Sequence, residues 1–282
     1  MKKLLFITRI NIFVNFLLTL IKATVGIIFS SVSLISDAIN SLGDVLTAVI
    51  IHFTVKINDL GPDENHQFGH SRAENIAGYT IGILMIILAI QIIKYSIEKF
   101  FSKEYATYSP IMIYVVLFSI ITKLFLYLYT KTNIKNKNSP ALEAIIKDHL
   151  NDILILFGIL IGIIALKAGY PQLDIIFGLL ISILILITGI KISYENIKHL
   201  MGIKPDLETL TKIKNKALEI KEVISVNKIF SQYLGNKIQT EIHIVLDKKT
   251  PLKKAHDIGN KVRNNIEELD EIIKCFVHIN SN

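Results

Sequence analysis

Residues Ser33–Asp44 read SLISDAINSLGD, and residues Lys147–Asp152 read KDHLND. Each acidic run interrupts an otherwise apolar stretch. Asp37, Asn40 and Asp44 recur at spacings of three and four, which puts all three on one face of a helix. Asp148 and Asp152 lie four apart and share a face of another helix. Carboxylates in such surroundings are costly to bury, so their setting in the chain decides both the fold and the chemistry.

That setting is a membrane. The chain has 282 residues, 51% of them hydrophobic, with a mean hydropathy of +0.48. A bilayer core of about 30 Å takes roughly 20 helical residues. Six segments qualify: 10–30, 32–55, 76–97, 110–130, 140–166 and 173–197. A very short turn around Ser30 to Ser33 makes the first two a tight hairpin. The loop 56–75 is long and polar, and the loop 131–139 (KTNIKNKNS) holds Lys131, Lys135 and Lys137. The positive-inside rule puts both basic loops and both termini in the cytoplasm, as an even number of spans requires, with the protein multi-pass in the cell membrane. Counted from the cytoplasmic ends, Asp44 and Asp152 both lie roughly 16–18 Å deep on antiparallel helices, so their faces can meet near the midplane.

The net charge of +7 reads as topology. There is no stripe of basic and aromatic residues, so nucleic acid is excluded as a partner. The single cysteine, Cys275, rules out an intramolecular disulfide and a cysteine metal cluster, and reads as core packing. The opening MKKLLFITR reads as a lead-in to the first span rather than a cleaved signal.

After residue 204 the pattern changes. Leu207, Leu210, Ile213, Ala217 and Ile220 have helical spacing, Val223–Phe230 and Lys237–Leu246 alternate, and Gly235 and Asn236 mark a turn between them. A second amphipathic helix over Pro251–Leu269 and a strand over Ile272–Ile279 complete an αββαβ order. The expected architecture is a six-helix transmembrane domain, 1–204, followed by a ferredoxin-like domain, 205–282, with two helices on an antiparallel sheet. So small a domain gains from self-association.

Three carboxylates at one depth repel one another unless a cation or protons sit between them. Lys22 and Lys123 are basic residues within the spans that could serve as counter-ions instead. His149 shares a face with Asp152 and is an alternative ligand to Asp148. In the loop, Asp63, His66 and His70 can form an N/O metal site if the histidines share a helical face or meet across a short turn. A solvated, unligated loop is the other reading. Paired aspartates could also serve a membrane hydrolase or line a cation channel. No nucleophile motif accompanies them, and only a channel conducts without proton counter-flux.

On these residues the sequence resembles the cation diffusion facilitator family. SLISDAINSLGD, DHLND and above all PDENHQFGHSRAE, Pro62–Glu74, carry the likeness, which spans essentially the whole chain. The resemblance implies a homodimeric antiporter in the lipid membrane that exchanges a divalent metal for protons, not an enzyme, and with no bound cofactor. It implies a transport site of Asn40, Asp44, Asp148 and Asp152. It also implies a loop site of Asp63, His66 and His70, and a cytoplasmic site of His243, His256 and His278. Zinc-type members are similar but place histidine at one or more of the first and third transport positions. Here four oxygens and no imidazole favour Mn²⁺, with Zn²⁺ or Fe²⁺ as the alternative cargo. Lys228 and Asn280 stand where further cytoplasmic ligands are expected, so that set is incomplete. Gly202 stands where an acid would pair with Arg72 in zinc members.

Overall fold

The computed structural model describes residues 2–58, 61–134, 140–235 and 237–281. Lys135, Lys137 and Asn236 of the expected loops lie outside them. The six apolar runs form α1 (Lys2–Ile28), α2 (Val32–Asn58), α3 (Arg72–Ser102), α4 (Pro110–Ile134), α5 (Pro140–Lys167) and α6 (Gln172–Leu200). Each is long and apolar enough to cross a membrane. Several outrun their expected spans, as α3 does at both ends, because the backbone ladder continues past the last apolar residue into the polar flank. Pro110 and Pro140 open α4 and α5, where the N–H that proline lacks would have no intrahelical partner.

Three of these helices end on the same turn. In α1, Ser31 N donates to Gly26 O and Ser30 N to Ile27 O; α5 repeats this at Tyr170 and Gly169, and α6 at Ile203 and Gly202. The turn needs a left-handed residue. Glycine supplies it at Gly169 and Gly202, but Ser30 adopts it with φ of 56°. The buried Lys99 holds that corner, its Nζ donating to Ser30 O at 3.1 Å.

The chain divides into two compact units, Met1–Phe53 with Gly78–Ser193, and Thr54–Ala77 with Tyr194–Asn282. In the first unit, Leu34, Met112, Leu156, Ile159, Ile163 and Ile185 form the buried centre. Phe13, Phe125 and Leu154 stay largely exposed on its outside, as lipid contact allows. A fully buried carboxylate closes the α1–α2 hairpin: Asp174 of α6 accepts from Val32 N at 2.8 Å, Ser31 Oγ at 2.7 Å and Ser33 Oγ at 2.5 Å. It satisfies the first turn of α2 and complements its positive end. A Cβ on Gly178, one turn along α6, would lie 2.8 Å from the Val32 carbonyl carbon, so only glycine lets the backbones approach this closely.

The second unit contains α7 (Leu207–Leu218), β1 (Ser225–Leu234), β2 (Lys237–Leu246), α8 (Leu252–Glu267) and β3 (Ile272–Ser281). The αββαβ order is as expected, but the sheet is mixed. β1 pairs antiparallel with β2, whereas β2 pairs parallel with β3. The reason is the sixteen-residue α8, which carries the chain back to the end of the sheet where β2 began. Both helices cover one face, with Ile213 and Ala217 of α7 and Ile258, Val262 and Ile266 of α8 packed on Ile242, Ile244 and Cys275.

Asp206 caps α7, its carboxylate accepting from Thr209 N at 2.7 Å, and that hydrogen bond holds its pKa below the ordinary value of 3.8. Burial pushes the Cys275 thiol up to about 12, so this only cysteine reacts when its domain opens. Heating the full-length protein with a thiol-reactive fluorophore should therefore give a lower labelling midpoint for Asp206→Ala at neutral pH. A carboxylate with a depressed folded pKa stabilises above its unfolded pKa and loses that effect as pH falls through the folded one. By calorimetry the difference should begin to shrink as pH falls below 3.8 and close only below the depressed folded pKa. Equal midpoints at neutral pH would show that the cap contributes nothing.

Candidate metal centre

The polar face of α2 meets α5 inside the first unit. Asn40 Nδ2 donates to Asp152 Oδ1 at 3.1 Å. Lys123 of α4 reaches the same place, with its Nζ 2.5 Å from Asp152 Oδ2 and 3.3 Å from Asp44 Oδ2. The lysine is 1% exposed, Asp152 7% and Asp44 30%, so the surface reaches Asp44 and nearly stops at Asp152. Three helices thus converge on one pair of carboxylates. The expected depth match of Asp44 and Asp152 is what brings them to one ammonium.

Asp148 stands one turn before Asp152 on α5, exposed, with its charge acting on both Asp44 and Asp152. Asp37 pairs elsewhere: Lys22 Nζ of α1 lies 2.7 Å from Asp37 Oδ2 and donates to Ser41 Oγ at 3.1 Å, all three buried. Asp37 is therefore the partner of Lys22, and Lys123 supplies the counter-charge at Asp44 and Asp152. The signal for both lysines was their presence within apolar spans; which acids they meet depends on how the helices pack. His149 is buried, and neither ring nitrogen has a hydrogen-bond partner among the described residues.

In the second unit the loop residues form a compact group. Asp63 Oδ1 lies 3.2 Å from His66 Nδ1, and Asp63 Oδ2 lies 3.2 Å from His70 Nε2. One ligand atom from each falls within 4.8 Å of the others, and the two rings are 4.4 Å apart. The segment is a turn rather than a helix, shaped by Asp63 accepting from the backbone N–H of His66 and of Asn65. Those bonds, the one from His66 foremost, hold the Asp63 carboxyl below its ordinary range.

The cytoplasmic histidines divide. His243 and His278 are register partners on β2 and β3, their rings 4.6 Å apart, with Glu241 Oε1 3.0 Å from His243 Nε2. They lie on the uncovered face of the sheet. His256 sits on α8, which packs on the opposite face, and its Nε2 is 2.9 Å from Asn260 Nδ2. Within one chain these three do not form a common site, because strand alternation puts the sheet between them. Glu241, which sequence reasoning passed over, is the acid beside the pair.

Among the described residues, Asp63, His66 and His70 are the one group of three metal-type side chains whose ligand atoms already converge. In equilibrium dialysis of the full chain with Zn²⁺, the double variant His66→Ala/His70→Ala should retain one ion fewer per chain than the parent. Equal stoichiometry would reject the loop as a metal site.

The profile of the cation efflux transmembrane domain matches residues 8–201, and that of the cation efflux protein cytoplasmic domain matches residues 205–282. An uncharacterized transporter of Methanocaldococcus jannaschii is 34% identical over 94% of this chain and 94% of its own. Two manganese efflux system proteins of Bacillus subtilis, MneS and MneP, are each 26% identical, over 96% and 97% of this chain and 93% and 95% of their own. A multi-pass bundle with buried carboxylates, followed by a small mixed α/β domain, is thus matched along its length by transporters rather than enzymes. The chain belongs to the cation efflux, or cation diffusion facilitator, family of divalent metal transporters.

Proposed function

We propose that this protein exports Mn²⁺ in exchange for protons, using Asn40, Asp44, Asp148 and Asp152 as the transport site. The observation that carries this reading is the meeting of Asn40, Asp44 and Asp152 across α2 and α5, with Asp148 in electrostatic reach. The donor set is oxygen throughout, which suits a hard dication. The two relatives named for manganese efflux support the choice of cargo.

Charge explains the coupling. The three aspartates alone would give a site of about −3; Lys123 lowers this to a net −2, which one dication cancels. Once the metal leaves, the excess charge favours protons on the same oxygens, so metal and protons compete. Zn²⁺ or Fe²⁺ is the second reading, and His149 favours it as a buried imidazole next to Asp148 whose nitrogens have no hydrogen-bond partner among the described residues.

The protein acts as a homodimer in the cell membrane with both termini cytoplasmic. The uncovered sheet face supports pairing of the cytoplasmic domains, since Phe230 and Phe276 keep 59% and 44% of their surface exposed there.

In proteoliposomes the parent protein should move Mn²⁺ with an opposing proton flux, and Asp44→Asn or Asp152→Asn should abolish both. Metal flux without proton flux would mean a channel, and unchanged flux in the variants would defeat the site assignment. Asn40→His should shift preference toward Zn²⁺; if it does not, position 40 does not set selectivity.

A further inference from the structure

Both oxygens of Asp152 are already engaged by donors. Oδ1 takes the Asn40 amide at 3.1 Å and Oδ2 takes the Lys123 ammonium at 2.5 Å, while the same ammonium lies 3.3 Å from Asp44. A metal ion needs lone pairs, and here an N–H group already engages one on each Asp152 oxygen. For Asn40 to become a ligand its amide must turn over, presenting the oxygen in place of the NH₂ group. For Asp44 and Asp152 to bind a dication through those same oxygens, the ammonium must withdraw, because two cations held on one pair of carboxylates repel each other.

Lys123 is built for such an exchange. It is a point charge on a flexible four-carbon stem, so a few bond rotations move it without moving α4. It is 1% exposed where it lies between the carboxylates. Asp37, on the same face of α2, is another acid whose charge acts on Lys123.

We propose that Lys123 is a tethered counter-cation of the transport site, holding Asp44 and Asp152 together while no metal is bound and yielding them to the incoming ion. The inference rests on the assignment of Asp44 and Asp152 as metal ligands. It makes Lys123 a competitor of the cargo, which lowers metal affinity and helps release. A purely structural lysine would do the opposite, since removing it would disorder the ligands and weaken binding.

The direction of the change in affinity therefore decides the matter. Full-length protein in detergent is titrated with Mn²⁺ alone, and free ion is followed by its aqueous electron-spin resonance signal. Lys123→Met should bind Mn²⁺ about tenfold more tightly than the parent, as expected when a neighbouring cation is removed from a buried site. Its Mn²⁺ transport in proteoliposomes should fall, because release is slowed. Lys123→Arg should bind about tenfold more weakly, since a guanidinium grips two carboxylates through a planar fork and withdraws less readily. Lys123→Gln takes the place of Lys123→Met if that variant does not fold, with the same expected direction. Unchanged or weaker binding in the neutral variant, or unchanged or tighter binding in Lys123→Arg, overturns the proposal. Asp152→Asn separates the two assignments. If it binds Mn²⁺ like the parent, the ligand assignment itself has failed. If it loses Mn²⁺ while Lys123→Met shows no gain, only the counter-cation role has failed.

Discussion

The burial of the Lys123 ammonium between two aspartates is the constraint on which the transmembrane bundle turns. An ion taken from water into a protein interior costs several kcal/mol, and the cost is recovered only if opposite charges and hydrogen bonds meet it there. Lys123 meets Asp44 and Asp152, and Asp152 in turn takes the amide of Asn40. The arrangement therefore fixes the rotation of three helices at once. Turning α2 by one residue, about 100°, would point Asn40 and Asp44 away from α5 and leave the lysine short of a partner.

The face of α2 divides its acids between two lysines. Asp37 answers Lys22 of α1, with Ser41 as the second acceptor, while Asp44 answers Lys123 of α4. The first pair is sealed, and the second keeps a path to the surface through Asp44. One is suited to holding helices together and the other to exchange. Donor chemistry makes a similar division along the chain. The bundle offers oxygen, whereas the exposed loop offers two imidazoles and a carboxylate, donor sets that suit different ions under the proposed transport role.

Much of this was legible in the sequence, because it depends on local period. Asp148 and Asp152 share a face by spacing alone, and the alternation of Lys237–Leu246 marks β2 to the residue. The loop triad was legible as a choice between a helical face and a turn, and a turn is what forms. What could not be read depends on packing between distant segments. Nothing near Lys123 in the chain names its acids, which lie 79 and 29 residues away. Asp174 looks like an ordinary acid at the start of α6, yet it serves the start of α2, 142 residues earlier. The parallel pairing of β3 and the separation of His256 from His243 both follow from where α8 lies, and that is a property of the folded domain.

The clasp at Asp174 has a mechanical consequence. It ties the first turn of α2 to α6, so that end is a fixed point and the helix beyond it is a lever. Twelve residues separate Val32 from Asp44, an arm of about 18 Å. A tilt of about 5° at the pivot displaces the far carboxylate by about 1.5 Å over that length. That distance exceeds the tolerance of a metal–oxygen bond, so under the proposed transport role a small rocking of one pinned helix would be enough to make or break the grip on an ion.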